Sequence, residues 1–264
     1  MSNIHPTVII EDGAKIGKNV NIGAFVTISS KATIKDNSTI DAHAVIEGDT
    51  TIGEGTHIFS HAVIGSIPQD LKYQGEDVKL IIGKNNKIRE FTLLNPGTRG
   101  GGGITKIGDN NLLMGYVHIG HDVMIGDNCI LANGATLAGH VELGDGVVIG
   151  GLTPIHQFVH IGDYAMIAGA SALSQDIPPY CLAEGNRATL RGLNLTGLRR
   201  HISRDSINRL KVVYRELFES SEPLQDTTQR LLKNIENIKE VKNLLEFVSK
   251  SKRGIPFKRK NING

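Results

Sequence analysis

The run Ile107-Gly108-Asp109-Asn110-Asn111-Leu112-Leu113-Met114-Gly115-Tyr116-Val117-His118-Ile119-Gly120-His121-Asp122-Val123-Met124-Ile125 carries an aliphatic residue at every sixth position: 107, 113, 119 and 125. Six is a multiple of the strand period of two, whereas six helical steps of about 100° carry each successive side chain far round the cylinder. The spacing therefore demands short strands. Outward from this run the same period holds from Ile4 through Ile10, Ile16 and onward to Ile64. It resumes at Ile82, Ile88 and Leu94, and from Ile107 it continues to Leu173. Four positions after each aliphatic residue comes a smaller one, as in Val20, Ala32, Val117, Val123, Cys129 and Ala135. A large and a small side chain thus alternate into a narrow interior.

Glycine often follows the aliphatic residue directly, as at Gly17, Gly53, Gly108, Gly120 and Gly126, so each hexad reads as one strand and one corner. Three hexads make a triangular coil, and about nine coils stacked at the strand spacing of about 4.8 Å give a prism roughly 43 Å long. A disordered glycine-rich segment would have no reason to keep a strict aliphatic interval.

Composition fits a packed soluble chain. Its 264 residues are 39% hydrophobic with a net charge of +2, and no apolar run is long enough to span a bilayer. Neither membrane insertion nor nucleic acid is expected. Ile4 already belongs to the repeat, so no signal peptide is read before it, and Cys129 and Cys181 show neither metal nor disulfide spacing. A reducing cytoplasm is the expected compartment.

The period breaks twice. Ile64 to Ile82 is eighteen residues, a whole coil length, but its middle, Gln69-Asp70-Leu71-Lys72-Tyr73-Gln74-Gly75-Glu76-Asp77, is too polar to line a core. Leu94 to Ile107 is thirteen residues, one more than two hexads, and contains Gly100-Gly101-Gly102-Gly103. Two loops, near 66–81 and 95–106, should leave the prism, and loops on a rigid scaffold are where ligands are usually gripped; tolerated surface insertions are the alternative. The prism is expected over 1–186 and a helical domain over 187–264. Ser203 reads as the cap of a helix through Ile207, Leu210, Val213, Tyr214 and Leu217. Beyond Pro223 a further helical pattern runs through Leu231, Ile235, Ile238, Val241, Leu244 and Val248. This tail is basic, with Lys250, Lys252, Arg253, Lys258, Arg259 and Lys260. It reads either as a solvated face or as a dock for an acidic protein.

Five of the ten histidines, His118, His121, His140, His156 and His160, fall among the corners of the later coils. His140 follows His121 by nineteen residues, close to one coil, so the two rings should be neighbours on one edge. Grouped imidazoles suit general base catalysis or metal binding.

The strings His118-Ile119-Gly120-His121-Asp122, Ile130 to His140, Ile155-His156-Gln157-Phe158, Gln69 to Tyr73 and Gln175 to Tyr180 together resemble the acyl carrier protein dependent UDP-N-acetylglucosamine O-acyltransferases of lipid A biosynthesis. The likeness spans essentially the whole chain. It implies a left-handed parallel β-helix with a C-terminal α-helical domain, assembled as a homotrimer. It also implies transfer of an (R)-3-hydroxyacyl chain from the phosphopantetheine of acyl carrier protein to the sugar 3-hydroxyl, with no bound cofactor and no metal. By that resemblance His121 is the general base, Asp122 its support and Gly139 the oxyanion donor. Asp70, Lys72, His118, His140 and Gln157 would line the sugar cleft, Asn194 and Arg200 would contact the nucleotide, and Gly169 would limit acyl length. Asn95 stands where better known members carry histidine, Arg187 replaces another histidine and Thr196 a glutamate. A 3-amino sugar acceptor, an acetyl-CoA dependent transferase and a zinc-binding anhydrase on the same prism are the alternatives.

Overall fold

The computed structural model describes residues 2–234 and 238–258. Short strands, mostly of two residues, form three sheets of 11, 8 and 8 strands, and as far as Met166–Ile167 the chain visits them in rotation. Every pairing within the coils is parallel, and successive coils are offset by eighteen residues, as in Asn21↔Thr39 and Ile22↔Ile40. The result is a left-handed parallel β-helix, an exception to the right-handed crossover habit of parallel strands. The last residue of each coil strand is the sixth-position aliphatic, and from Ile22 onward these are buried. Each such burial contributes roughly 1.5–3 kcal/mol, and because coils touch only their neighbours the contributions accumulate along the axis.

The corners need left-handed backbone, and the sequence supplies residues that tolerate it. Asn19, Asn37, Asn85, Asn110 and Asn128 all have positive φ between the third and first faces, the conformation asparagine visits more readily than most. Between the first and second faces the equivalent positions hold Phe25, His43, His61, Phe91 and Tyr116, whose rings stack at 4.9–5.1 Å in an outward-facing ladder.

Both breaks in the period lie at the remaining corner, between the second and third faces. Ile58 pairs with Ile40 eighteen residues before and with Ile88 thirty residues after, so twelve extra residues leave the wall. Ile82 pairs with Ile107 twenty-five residues on, so the second excursion adds seven. Each interval is thus one step between faces plus an insertion; the eighteen-residue match to a coil length is coincidental. The strands that receive the chain, Lys79–Ile82 and Ile104–Ile107, extend to four residues, which shortens the irregular parts to 65–78 and 95–103.

The boundary expected at 186/187 falls inside an antiparallel hairpin, Cys181–Glu184 with Thr189–Leu193, that extends the first sheet. Helices follow: α1 (Leu195–Leu198), α2 (Arg204–Glu219), α3 (Leu224–Lys233) and α4 (Lys239–Lys250). The Ser203 hydroxyl accepts from Ser206 N–H at 3.1 Å and caps α2 as expected. Ile207, Leu210, Tyr214 and Leu217 of α2 and Val241, Leu244 and Leu245 of α4 join the same core as the prism. Ile235, Arg259 and Lys260 lie outside the described residues.

Candidate active site

His121 follows the second-face strand His118–Ile119 at the corner from which, on earlier coils, the two excursions emerge. Its Nδ1 lies 2.8 Å from Asp122 Oδ2. Asp122 has positive φ, which turns its side chain back under the corner, where only 1% of it is exposed. A buried ionised carboxylate accepts only, so Nδ1 carries the proton and Nε2 is left as the acceptor. Two further donors reach the same carboxylate, Thr98 N–H to Oδ1 at 2.8 Å and Thr98 O–H to Oδ2 at 2.6 Å, while Asp122 N–H donates to Thr105 Oγ1 at 2.8 Å.

One coil later the register places Gly139 against His121 and His140 against Asp122. The two imidazoles meet edge to face with centroids 5.0 Å apart, and His140 stacks on Phe158 of the next coil at 4.5 Å. His140 Nε2 is 3.9 Å from Asp122 Oδ2. Burial holds the pKa of His140 below the usual histidine value, against the opposing pull of Asp122. Gly139 N–H has no acceptor among the described residues, whereas its carbonyl accepts from Phe158 N–H at 3.1 Å. A Cβ on Gly139 would stand 2.5 Å from His121 Cε1 and 2.6 Å from Nε2, so the ring occupies the space a side chain would need.

A cleft of about 490 Å³ opens beside these groups, bordered by Asp70, Lys72 and Glu76 of the first excursion, Thr98 and Arg99 of the second, and His140 and Phe158 of the wall. Asp70 Oδ1 accepts from Lys72 N–H at 2.9 Å, which turns the loop and sets both side chains at the cleft. Asn95 is buried at the loop base, where its amide nitrogen donates to the Ser66 and Ile67 carbonyls at 3.0 and 3.1 Å. These two bonds pin the first excursion to the wall.

The sequence-predicted residues divide. His121, Asp122, Gly139, His140, Asp70 and Lys72 come together, and Gln157 is at the same corner one coil beyond Gly139. His118 is not at a corner as expected: it lies within a strand on the second face, with Nδ1 buried and unpartnered and its pKa lowered mainly by burial. His160 likewise lies on the third face, because the residue before each core aliphatic points outward from a flat wall. His156 contacts Gln157 O and Arg253. Asn194 is absent from the cleft of its own chain: its Oδ1 caps α1 at Gly197 N–H, 3.1 Å, and its amide donates to Tyr164 O at 3.0 Å. Arg200 is exposed just beyond α1, and Gly169 is exposed on the corner between the first and second faces.

Thr98, Arg99, Glu76 and Phe158 were not singled out as site residues from sequence. For Thr98, Arg99 and Glu76 only their position in a break of the period pointed to the region, and Phe158 stood in one of the strings that carry the resemblance. His121, Asp122 and His140 also present ligand atoms within 4.8 Å of one another, a spacing that suits a metal ion, but both Asp122 oxygens already accept from Thr98 and His121.

Residues 176–256 match the family described as "Udp N-acetylglucosamine O-acyltransferase; Domain 2", and residues 31–66 and 104–139 match "Bacterial transferase hexapeptide (six repeats)". The chain is 70% identical over 261 residues to the acyl-[acyl-carrier-protein]–UDP-N-acetylglucosamine O-acyltransferase of Sulfurovum sp. (strain NBC37-1), covering 99% of this chain and 100% of that one. It is 73% identical over 262 residues to the protein of the same name from Sulfurimonas denitrificans, with coverage of 99% and 100%. Among solved structures, the UDP-N-acetylglucosamine acyltransferase of Campylobacter jejuni superimposes with a TM-score of 0.94 at 51% identity, covering 97% of this chain and 100% of that one.

Proposed function

The chain belongs to the acyl-[acyl-carrier-protein]–UDP-N-acetylglucosamine O-acyltransferases, which carry out the first step of lipid A synthesis, and from that premise we propose that His121 is its general base. The enzyme transfers a hydroxyacyl chain from acyl carrier protein to UDP-N-acetylglucosamine. The observation that carries the reading is the His121–Asp122 pair at 2.8 Å beside a cleft roofed by both excursions.

With Nδ1–H held by Asp122, the His121 Nε2 lone pair takes the proton from the sugar 3-hydroxyl as that oxygen attacks the thioester carbonyl. The free N–H of Gly139 donates to the oxyanion of the tetrahedral intermediate. As the intermediate collapses, the C–S bond breaks, the ester C–O bond remains, and the imidazolium returns its proton to the departing phosphopantetheine sulfur. Asp70 and Lys72 hold the sugar, with Gln157 and His118 bordering it. Burial keeps His140 and His118 neutral near pH 7, so neither places a competing positive charge beside the base.

Gly169 limits acyl length from a different edge of the prism than the one that carries His121. A pocket that uses both edges needs two copies of the chain, which supports a homotrimer with clefts between subunits; Asn194 and Arg200 then serve the nucleotide of a neighbouring cleft. Acyl carrier protein docks on the helical end, where Arg199, Arg204 and Lys211 surround a depression of about 390 Å³ with cationic groups suited to an acidic partner. No described helix is long and apolar enough to cross a membrane, and both substrates are water-soluble, which supports a cytoplasmic enzyme.

His121→Ala is the test. It should leave the fold intact and lower transfer by about 10²–10⁴-fold; retention of most of the activity, measured with 3-hydroxyacyl carrier protein and UDP-N-acetylglucosamine, would exclude His121 as the base.

A further inference from the structure

Asp122 can orient His121 only if something orients Asp122, and the wall itself supplies little for that. Thr105 accepts from the Asp122 backbone and does not reach the carboxylate. Both remaining donors come from one residue of the second excursion, Thr98, whose N–H and O–H bind the two carboxylate oxygens at 2.8 and 2.6 Å. This is a two-point grip, which fixes rotation of the carboxylate about its own axis as one bond would not.

Thr98 is itself held. It is 5% exposed, and its carbonyl accepts from Gly101 N–H at 3.0 Å and Gly103 N–H at 2.8 Å, closing the glycine run into a tight turn. Gly101 packs directly on the Asp122 carboxylate, where any Cβ would collide with it. The glycine run thus brings backbone close enough for Thr98 to reach its partner. Arg99 N–H donates to Glu76 Oε1 at 3.3 Å, which ties the sugar-binding excursion to the same turn.

We propose that Thr98 is the positioning residue of the catalytic pair: its two bonds aim Asp122 so that a lone pair of Oδ2 meets His121 Nδ1–H and Nε2 faces the acceptor hydroxyl. This rests on the reading of His121 as base. Thr98 acts through Asp122, because its N–H and O–H are both directed to that carboxylate. The second excursion therefore contributes to the rate as well as to binding.

A role confined to stapling the loop and a role in positioning make different predictions. Steady-state kinetics of the full-length enzyme, with 3-hydroxyacyl carrier protein and UDP-N-acetylglucosamine, are compared for Thr98→Val, Thr98→Ser, Asp122→Asn and the Thr98→Val/Asp122→Asn double variant. Positioning predicts that Thr98→Val lowers kcat about 10- to 100-fold with KM for the sugar nucleotide within about twofold, while Thr98→Ser, which keeps both donors, stays within about threefold of the parent. It also predicts that Thr98→Val costs nothing further once Asp122 is asparagine. An unchanged kcat, a raised KM alone, or a full multiplication of the two single effects overturns the proposal. Thr98→Ala, which needs no more room than threonine, repeats the test if the valine variant does not fold. Should His121→Ala retain activity, the base assignment itself falls; an inactive His121→Ala beside a normal Thr98→Val removes only the role of Thr98.

Discussion

Replacing Gly139 with alanine puts one methyl group where the His121 ring now sits. The new carbon would lie 2.5 Å from Cε1, 2.6 Å from Nε2 and 3.0 Å from Nδ1. Ordinary contacts between such atoms are about 3.5–4.0 Å, so the ring must retreat by about 1 Å. It cannot do so without stretching the 2.8 Å bond to Asp122 or turning toward His140, whose ring stands edge-on at 5.0 Å. A shift of about 1 Å in a reacting group costs about 10² in rate, equivalent to about 2.7 kcal/mol in the barrier. The backbone raises no objection, since Gly139 is not among the positive-φ glycines, and alanine there is conformationally easy. The expected result is therefore a kcat about 100-fold down in the acyl carrier protein assay, with a melting temperature within a few degrees of the parent. A kcat within about threefold of the parent would refute the claim that the imidazole needs the room glycine leaves.

Two further outcomes follow from the same geometry. The pKa values of His118 and His140 are lowered by burial, so below about 6.5 the unfolded chain binds more protons than the folded one; stability is full above that pH and declines as pH falls. Melting curves between about pH 7.5 and 5.5 should show the decline, and His118→Gln should flatten it; an equally steep slope in that variant would clear His118 as a source. Gly169→Met should move acyl preference toward shorter chains, and because a Cβ there meets only Gly151 O at 3.4 Å and Gly151 N at 3.6 Å, the fold should tolerate it; an identical chain-length profile would reject the ruler.

The hexad carries the fold because each step of six residues has only one way to place a large aliphatic inside and a turn outside. The three faces, the buried Ile119 and Ile125 and the neighbouring rings of His121 and His140 were all legible from spacing. The insertions were legible as breaks but not in size, since eighteen residues fit a coil as well as a corner with twelve extra. Thr98 was not legible. Its partner is twenty-four residues away, and the contact depends on how a glycine turn closes, which no period encodes. Asn194, a nucleotide contact by resemblance, caps α1 within its own chain, and a single sequence does not separate that local use from the contact proposed across a subunit boundary.

The aliphatic wall is also a graduated scale. Residues eighteen apart at one corner, such as Asp122, His140 and Phe158, stand one strand spacing apart, about 4.8 Å. Insertions at a corner leave that interval untouched, since Ile82 still pairs with Ile52 and Ile107 across both excursions. Loops can therefore lengthen or be exchanged with no change in the distance between groups fixed to the wall. That distance changes only when a coil is gained or lost, in increments of about 4.8 Å, whereas a corner substitution such as Gly139→Ala displaces a neighbouring group by about 1 Å. The spacing of groups along the wall thus has two independent controls, one coarse and one fine.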